Sequence, residues 1–164
     1  MKDPENKLYF KDMLRSKRII VVHHCLLNQN ARAKGLAKSK GVIEKIIEKY
    51  KDRGIYQIPC PELRFLGAER EPLTKTDYDV PAFREICRRI ANEVAEDFKR
   101  FVEAGYEIEA ILGVEGSPSC GVTLTHIIKN GEDKEVEGEG ILVEEMKKAL
   151  KERGIKPNYL GIKL

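Results

Sequence analysis

Four cysteines, Cys25, Cys60, Cys87 and Cys120, are the residues of this 164-residue chain best suited to chemistry. A thiolate is both a nucleophile and a soft metal ligand, so its use depends on what the fold brings beside it. No two cysteines form a close pair such as C-x2-C, the usual mark of a zinc site. Instead each has its own setting. His23 and His24 precede Cys25, Pro61 and Glu62 follow Cys60, and Cys120 closes the run Ser117-Pro118-Ser119. With no secretory signal in front of them, four cysteines do not describe a disulfide framework.

The elements that must position these residues follow from the apolar pattern. Arg18-Ile19-Ile20-Val21-Val22 is a β-branched run and predicts a strand buried on both faces. Val42, Ile43, Ile46, Ile47 and Tyr50 recur at helical spacing and stop at Gly54. Ile55 to Cys60 predicts a second strand, cut short by Pro59. A long helix is expected from Pro81 to Ala104, then a strand from Ile108 to Val114. Gly140 opens a last helix and Asn158 to Ile162 is a last strand. Residues 123–139 interrupt the alternation, and Asn130-Gly131 there predicts an inserted hairpin or loop. Asp3-Pro4 with Tyr9, Phe10, Met13 and Leu14 predicts a short helix over residues 1–17. The whole, residues 1–164, is expected to be a single α/β domain. It is a flavodoxin-like or Rossmann-like three-layer sandwich with a mostly parallel four-stranded sheet in the order 2-1-3-4.

In a parallel sheet the carboxyl ends of the strands share one edge, where ligands bind in open α/β folds. Cys25, Cys60 and Cys120 all follow strand ends, so this topology lets three thiols converge. Cys87 lies inside the long helix beside Ile86 and Ile90 and is expected to pack as a small apolar residue. Three thiolates suit a zinc ion with a fourth ligand from His23 or His24, or an iron–sulfur cluster with one iron left open. A nucleophilic reading also exists. Cys25 followed by Arg32 is similar to the phosphate loop of low-molecular-weight tyrosine phosphatases, but Leu26 to Ala31 is one residue too long for it.

Thirty Lys and Arg against 27 Asp and Glu give a net charge of +3, with both signs interspersed, which argues against a nucleic-acid partner. No apolar run approaches the ~20 residues of a membrane span. The expected location is cytoplasmic, with no membrane partner, and the sequence is silent on oligomeric state.

Three segments in order carry a resemblance: Cys25-Leu26-Leu27-Asn28 with Arg32 and Gly35, Cys60-Pro61-Glu62, and Ser117-Pro118-Ser119-Cys120-Gly121. Together they resemble the thiouracil desulfidase (TudS-like) family, whose blocks read CLLG…CRYDG, CPE and SPSCG. Asn28 replaces a glycine of that pattern, and Ala31 and Ala33 stand where it has cysteine and tyrosine, as in a related branch. The resemblance implies a 4Fe–4S cluster held by Cys25, Cys60 and Cys120, with the fourth iron free of protein. It also implies roles for Glu62 and Ser117. The expected reaction is non-redox removal of sulfur from the thiocarbonyl of a thiolated nucleobase or nucleotide, a small-molecule substrate. An open iron polarises C=S, water adds to the carbon, and sulfide departs. Glu62 is the expected general acid/base. Ser117 orients water or a cluster sulfur. Asn28 and Asn30 are candidates for reading the base edge, Arg32 for a nucleotide phosphate, and Ser119 stands with them in the substrate loop. Arg70 is a lesser phosphate candidate, and His126, in the inserted segment, is expected to be a surface side chain. The alternatives are a cluster-bearing sulfur carrier without turnover and a plain flavodoxin-like nucleotide-binding module.

Overall fold

The computed structural model describes residues 14–164, so most of the helix expected over residues 1–17 lies outside the described residues. Leu14 to Lys17 carry no regular structure. Four parallel strands form the central sheet: β1 (Arg18–His23), β2 (Gly54–Ile58), β3 (Glu107–Val114) and β6 (Tyr159–Ile162). Their spatial order is β2-β1-β3-β6, the order 2-1-3-4 expected from the sequence. The antiparallel hairpin β4 (Leu124–Lys129) and β5 (Glu132–Glu137) forms a separate two-stranded sheet. Its turn residues Asn130 and Gly131 both have positive φ, at 53° and 75°, the requirement of a tight hairpin turn.

The period of two in β1 divides the core. Ile19 and Val21 pack on one face of the sheet against α4 (Pro81–Glu103) and α5 (Ile141–Glu152). Ile20 and Val22 pack on the other against α1 (Glu44–Tyr50), which contributes Ile46 and Tyr50. Helices therefore cover both faces, as an all-parallel sheet requires. Helix α4 presents Phe83, Ile90, Val94 and Phe98 along one stripe. Burying each such side chain stabilises the fold by about 1.5–3 kcal/mol. Cys87 sits fully buried in the same stripe, as a packing residue.

Two departures bear on the site. β2 ends at Ile58, two residues before Cys60, and the chain then turns into α2 (Pro61–Leu66) with Cys60 as its N-cap. A further short helix, α3 (Lys75–Tyr78), begins at Thr74 with a capping box to Asp77. Neither helix was expected from the apolar pattern, because six and four residues are too few to show a helical period.

The loop after β3 folds back on the strand that precedes it. Val114 N–H donates to the carbonyl of Cys120 at 3.0 Å. A Cβ on Gly113 would overlap that same carbonyl and the side chain of Val122. Gly113→Ala is therefore expected to cost about 1–3 kcal/mol through overpacking. Gly41→Ala, where a Cβ meets nothing within 4 Å, should stay within about 0.5 kcal/mol of the parent. Urea unfolding followed by circular dichroism measures both.

Candidate functional site

Cys25 and Cys60 each lie two residues beyond a strand end, and Cys120 lies six beyond β3. All three line one cavity of about 280 Å³ at the carboxyl edge of the sheet. Glu62, Ser117 and Arg32 line it as well. A second cavity of about 280 Å³ opens at the opposite edge of the sheet, walled by Tyr56, Phe101 and Tyr106, with no cysteine or carboxylate among its described residues.

Local hydrogen bonds fix each thiol-bearing segment. Beyond Cys25, the buried side chain of Gln29 donates to the Cys25 carbonyl at 2.7 Å and accepts from Lys38 N–H at 2.8 Å. Asn28 accepts from Asn30 N–H at 3.2 Å, and its amide meets His24 Nε2 at 3.1 Å. The Sγ of Cys60 accepts from Leu63 N–H at 3.4 Å. The Ser117 hydroxyl accepts from Ser119 N–H and Cys120 N–H, at 3.3 and 3.0 Å, and so builds the turn that presents Cys120.

Burial dominates the state of the thiols. It pushes Cys25 up to about 12 despite the opposing charge of Arg32, and raises Cys60 as well. Cys120 is raised well above the usual thiol range, first by burial and then by the proximity of Cys25, Cys60 and Glu62. That mutual influence is an electrostatic sign that the three thiols share one space.

Glu62 is nearly buried, and its two oxygens are engaged differently. Oε2 accepts a short hydrogen bond from Ser119 Oγ, itself fully buried. Oε1 lies 3.6 Å from Arg70 Nε, within ion-pair range but too far for a hydrogen bond. Arg70 is buried and held by the carbonyls of Ala31 and Gly67, at 2.7 and 3.1 Å. It therefore ties the loop after Cys25 to the helix after Cys60. Three buried polar atoms around the site have no hydrogen-bond partner among the described residues: Arg70 Nε, Arg32 Nη1 and the Tyr78 hydroxyl. Burial and the neighbouring charge of Glu62 push the Tyr78 hydroxyl up.

The structure thus brings Cys25, Cys60, Cys120, Glu62, Ser117 and Arg32 to one cavity. Asn28 and Asn30 hold their own loop instead of lining that cavity, and Ser119 stands beneath it, bonded to Glu62. His23 is buried at the end of β1, with both ring nitrogens unpartnered and its pKa lowered to about 4 by burial. His24 turns to Asn28. Among the described residues, no group of three His, Cys, Asp or Glu side chains is arranged to hold a single metal ion. Arg70 proves to be the buried partner of Glu62, and His126 is half-exposed on the cavity wall. Tyr78 and Gln29 were not expected at the site at all. The Thr74-x-x-Asp77 capping signature was the signal that placed Tyr78, at the end of α3.

A parallel sheet with three thiols and a buried carboxylate at its carboxyl edge defines a soft-ligand site of the α/β class. Over residues 20–156 the chain matches the model of the 2-thiouracil desulfurase family, and it belongs to that family. An uncharacterised protein of Methanocaldococcus jannaschii is 33% identical over 144 residues, 87% of this chain and 83% of its own length. No solved structure matches the chain. The family's name points to sulfur removal from a thiouracil. No described helix is long and apolar enough to cross a membrane.

Because Arg70 neutralises a buried carboxylate and bridges two loops, removing it leaves Glu62 uncompensated. Arg70→Met is expected to lower stability by about 3–5 kcal/mol. Glu62→Gln, which keeps an acceptor for Ser119, should cost less. Paired urea titrations give the ranking, and an Arg70→Met variant as stable as the parent would contradict this electrostatic assignment.

Proposed function

We propose that this chain removes sulfur from the thiocarbonyl of a thiolated nucleobase or nucleotide, without net electron transfer. The observation that carries this reading is the sharing of one cavity by three thiols and the nearly buried Glu62, in a member of a thiouracil desulfurase family.

The donor set fits an iron–sulfur cluster better than a lone zinc ion. All three thiols come from dispersed strand ends, no tight single-ion group is present among the described residues, and neither His23 nor His24 lines the cavity. Cys25, Cys60 and Cys120 would hold that cluster. When bound, it supplies a soft Lewis-acid position at an iron without a protein ligand, suited to a thiocarbonyl sulfur.

The chain's own residues supply the rest. Arg70 pairs with one oxygen of Glu62 and holds it in place, while the Ser119 hydroxyl fixes its second oxygen. Held this way, Glu62 carries a proton between the oxygen of the adding water and the departing sulfur. Ser117 spends its oxygen on two backbone N–H groups and stands 3.4 Å from Ser119 Oγ; since Ser119 gives its proton to Glu62, the Ser117 hydroxyl donates in that contact and links the cysteine turn to Glu62. Arg32, an always charged guanidinium on the cavity wall, would meet the oxygen atoms or phosphate of a substrate.

Iron and acid-labile sulfide, measured on protein prepared without oxygen, test the ligand set. Cys25→Ala, Cys60→Ala and Cys120→Ala are each expected to lose both, and Cys87→Ala to keep them. Glu62→Gln should retain the iron and lose turnover of 2-thiouracil by about 100-fold or more. Stoichiometric sulfide uptake without repeated release would instead favour a sulfur carrier.

A further inference from the structure

Adding water across a thiocarbonyl moves two protons, and Glu62 accounts for one. Several other ionisable groups line the same cavity, and most are already committed. Glu115 accepts from Val122 N–H at 2.8 Å and from Thr123 N–H at 3.0 Å. Burial opposes ionisation there, but the hydrogen bonds from Thr123 and the backbone outweigh it and hold Glu115 below the usual carboxylate range. Arg32 and Arg70 stay protonated. The remaining group whose type titrates near neutrality is His126, on the inserted hairpin.

The imidazole is held in a defined orientation. Its Nδ1 lies 2.7 Å from Asp133 Oδ1 and donates to that carboxylate, so Nε2 is the nitrogen open to proton exchange. Glu135 Oε2 stands 3.4 Å from Nε2, where it stabilises the ring once Nε2 gains a proton. The charged groups around His126 are thus Asp133 and Glu135 on β5, with Glu115 on the segment after β3 and Arg32 on the same cavity wall. Lys75, on the neighbouring helix α3, is turned to Glu144 and the Glu139 carbonyl.

The hairpin is fastened to the loop that carries Ser117 and Cys120. Gly116 N–H donates to the Leu124 carbonyl at 2.9 Å, and Thr125 Oγ1 donates to the Ser117 carbonyl at 3.0 Å. Ile128 N–H donates to Thr76 Oγ1 at 2.9 Å on α3. The His126 ring lies against Gly116, 3.5 Å from where a Cβ would stand. The ring is therefore fixed directly before the serine and cysteine of the site.

We propose that His126, clamped by Asp133, is a second proton-handling catalytic residue of this cavity. The assignment rests on the desulfuration reading above. As the water oxygen bonds to the thiocarbonyl carbon, one water proton passes to His126 Nε2 and the C=S π pair moves to sulfur. Glu62 carries the second proton from that oxygen to sulfur. The C=O bond forms, the C–S pair leaves with sulfur as hydrosulfide, and His126 returns its proton to solvent. Nothing is oxidised or reduced.

The test uses the full chain loaded with iron and sulfide, with 2-thiouracil as probe, over a range of pH. His126→Gln is expected to keep iron content, visible spectrum and thiouracil affinity, and to lower kcat by about 100-fold or more. The acid limb of the kcat–pH profile should disappear with it. His126→Ala should regain activity with added imidazole, which a merely structural histidine would not allow. Asp133→Asn should lower kcat less and shift that limb. An unchanged rate and profile in His126→Gln would overturn the assignment while leaving desulfuration intact. A loaded parent protein that releases no sulfide would overturn both.

Discussion

One backbone hydrogen bond, from Val114 N–H to the Cys120 carbonyl, decides whether this sheet edge is a site. Cys25 and Cys60 follow their strands at once and have no choice of location. Cys120 is six residues past β3 and reaches the others only because its loop doubles back over Gly113. The same loop then feeds α5. Ile141 N–H donates to the Pro118 carbonyl and Leu142 N–H to the Ser119 carbonyl, at 2.9 and 3.0 Å, so the helix start and the cysteine turn are one unit. A Cβ on Gly140 would overlap the Ser119 backbone, which leaves no slack there. The third thiol is as fixed as the strand it returns to.

The buried charges obey a second constraint. Three thiols, the Glu62 carboxylate and the guanidinium groups of Arg32 and Arg70 gather at one cavity, where burial makes unpaired charge costly. The thiols respond by staying protonated, since burial raises all of them. The carboxylate responds by pairing with Arg70 and accepting from Ser119. Binding of the proposed cluster would reverse the first response: the thiols would become thiolates and release protons, so that cluster uptake and proton release would be one event. Arg70 and Ser119 hold Glu62 independently of the thiols, since both contacts come from side chains other than the cysteines.

The sheet, its order and the convergence of the thiols were readable because each depends on local pattern. The Ile19–Val22 run must be buried on both faces, and the strands and helices between them fall at glycine boundaries. Cysteine at successive strand ends then follows from topology alone. The partners of those residues were not readable. Arg70 meets Glu62 across a loop and two turns, and nothing in an isolated Gly67-Ala68-Glu69-Arg70 stretch signals burial. The short helix α2 carried one cue, proline directly after Cys60, which is the favoured first helical position. Asn28 and Asn30 have side chains suited equally to a base edge and to a turn, and the turn took them.

The hairpin shows most clearly why side-chain type underdetermines role. Alternation along β4 sends Thr125 inward and leaves His126 half-exposed, which matches a surface histidine as long as the hairpin is considered alone. Its meaning changes with what the hairpin leans on. Gly116 carries no side chain, so the imidazole settles directly against the backbone that precedes Ser117. The cross-strand pairing of His126 with Glu135, and the diagonal reach to Asp133, then put two carboxylates on the ring from the solvent-facing strand. An insertion anchored to the loop after β3 and to α3 thereby adds an ionisable wall to a cavity whose other walls come from the sheet edge. The thiols and Glu62 are placed by the shared edge of the parallel strands, and His126 by the hydrogen bonds of one hairpin to one turn. Changes in the hairpin can therefore alter proton handling at the cavity without disturbing the three-thiol centre.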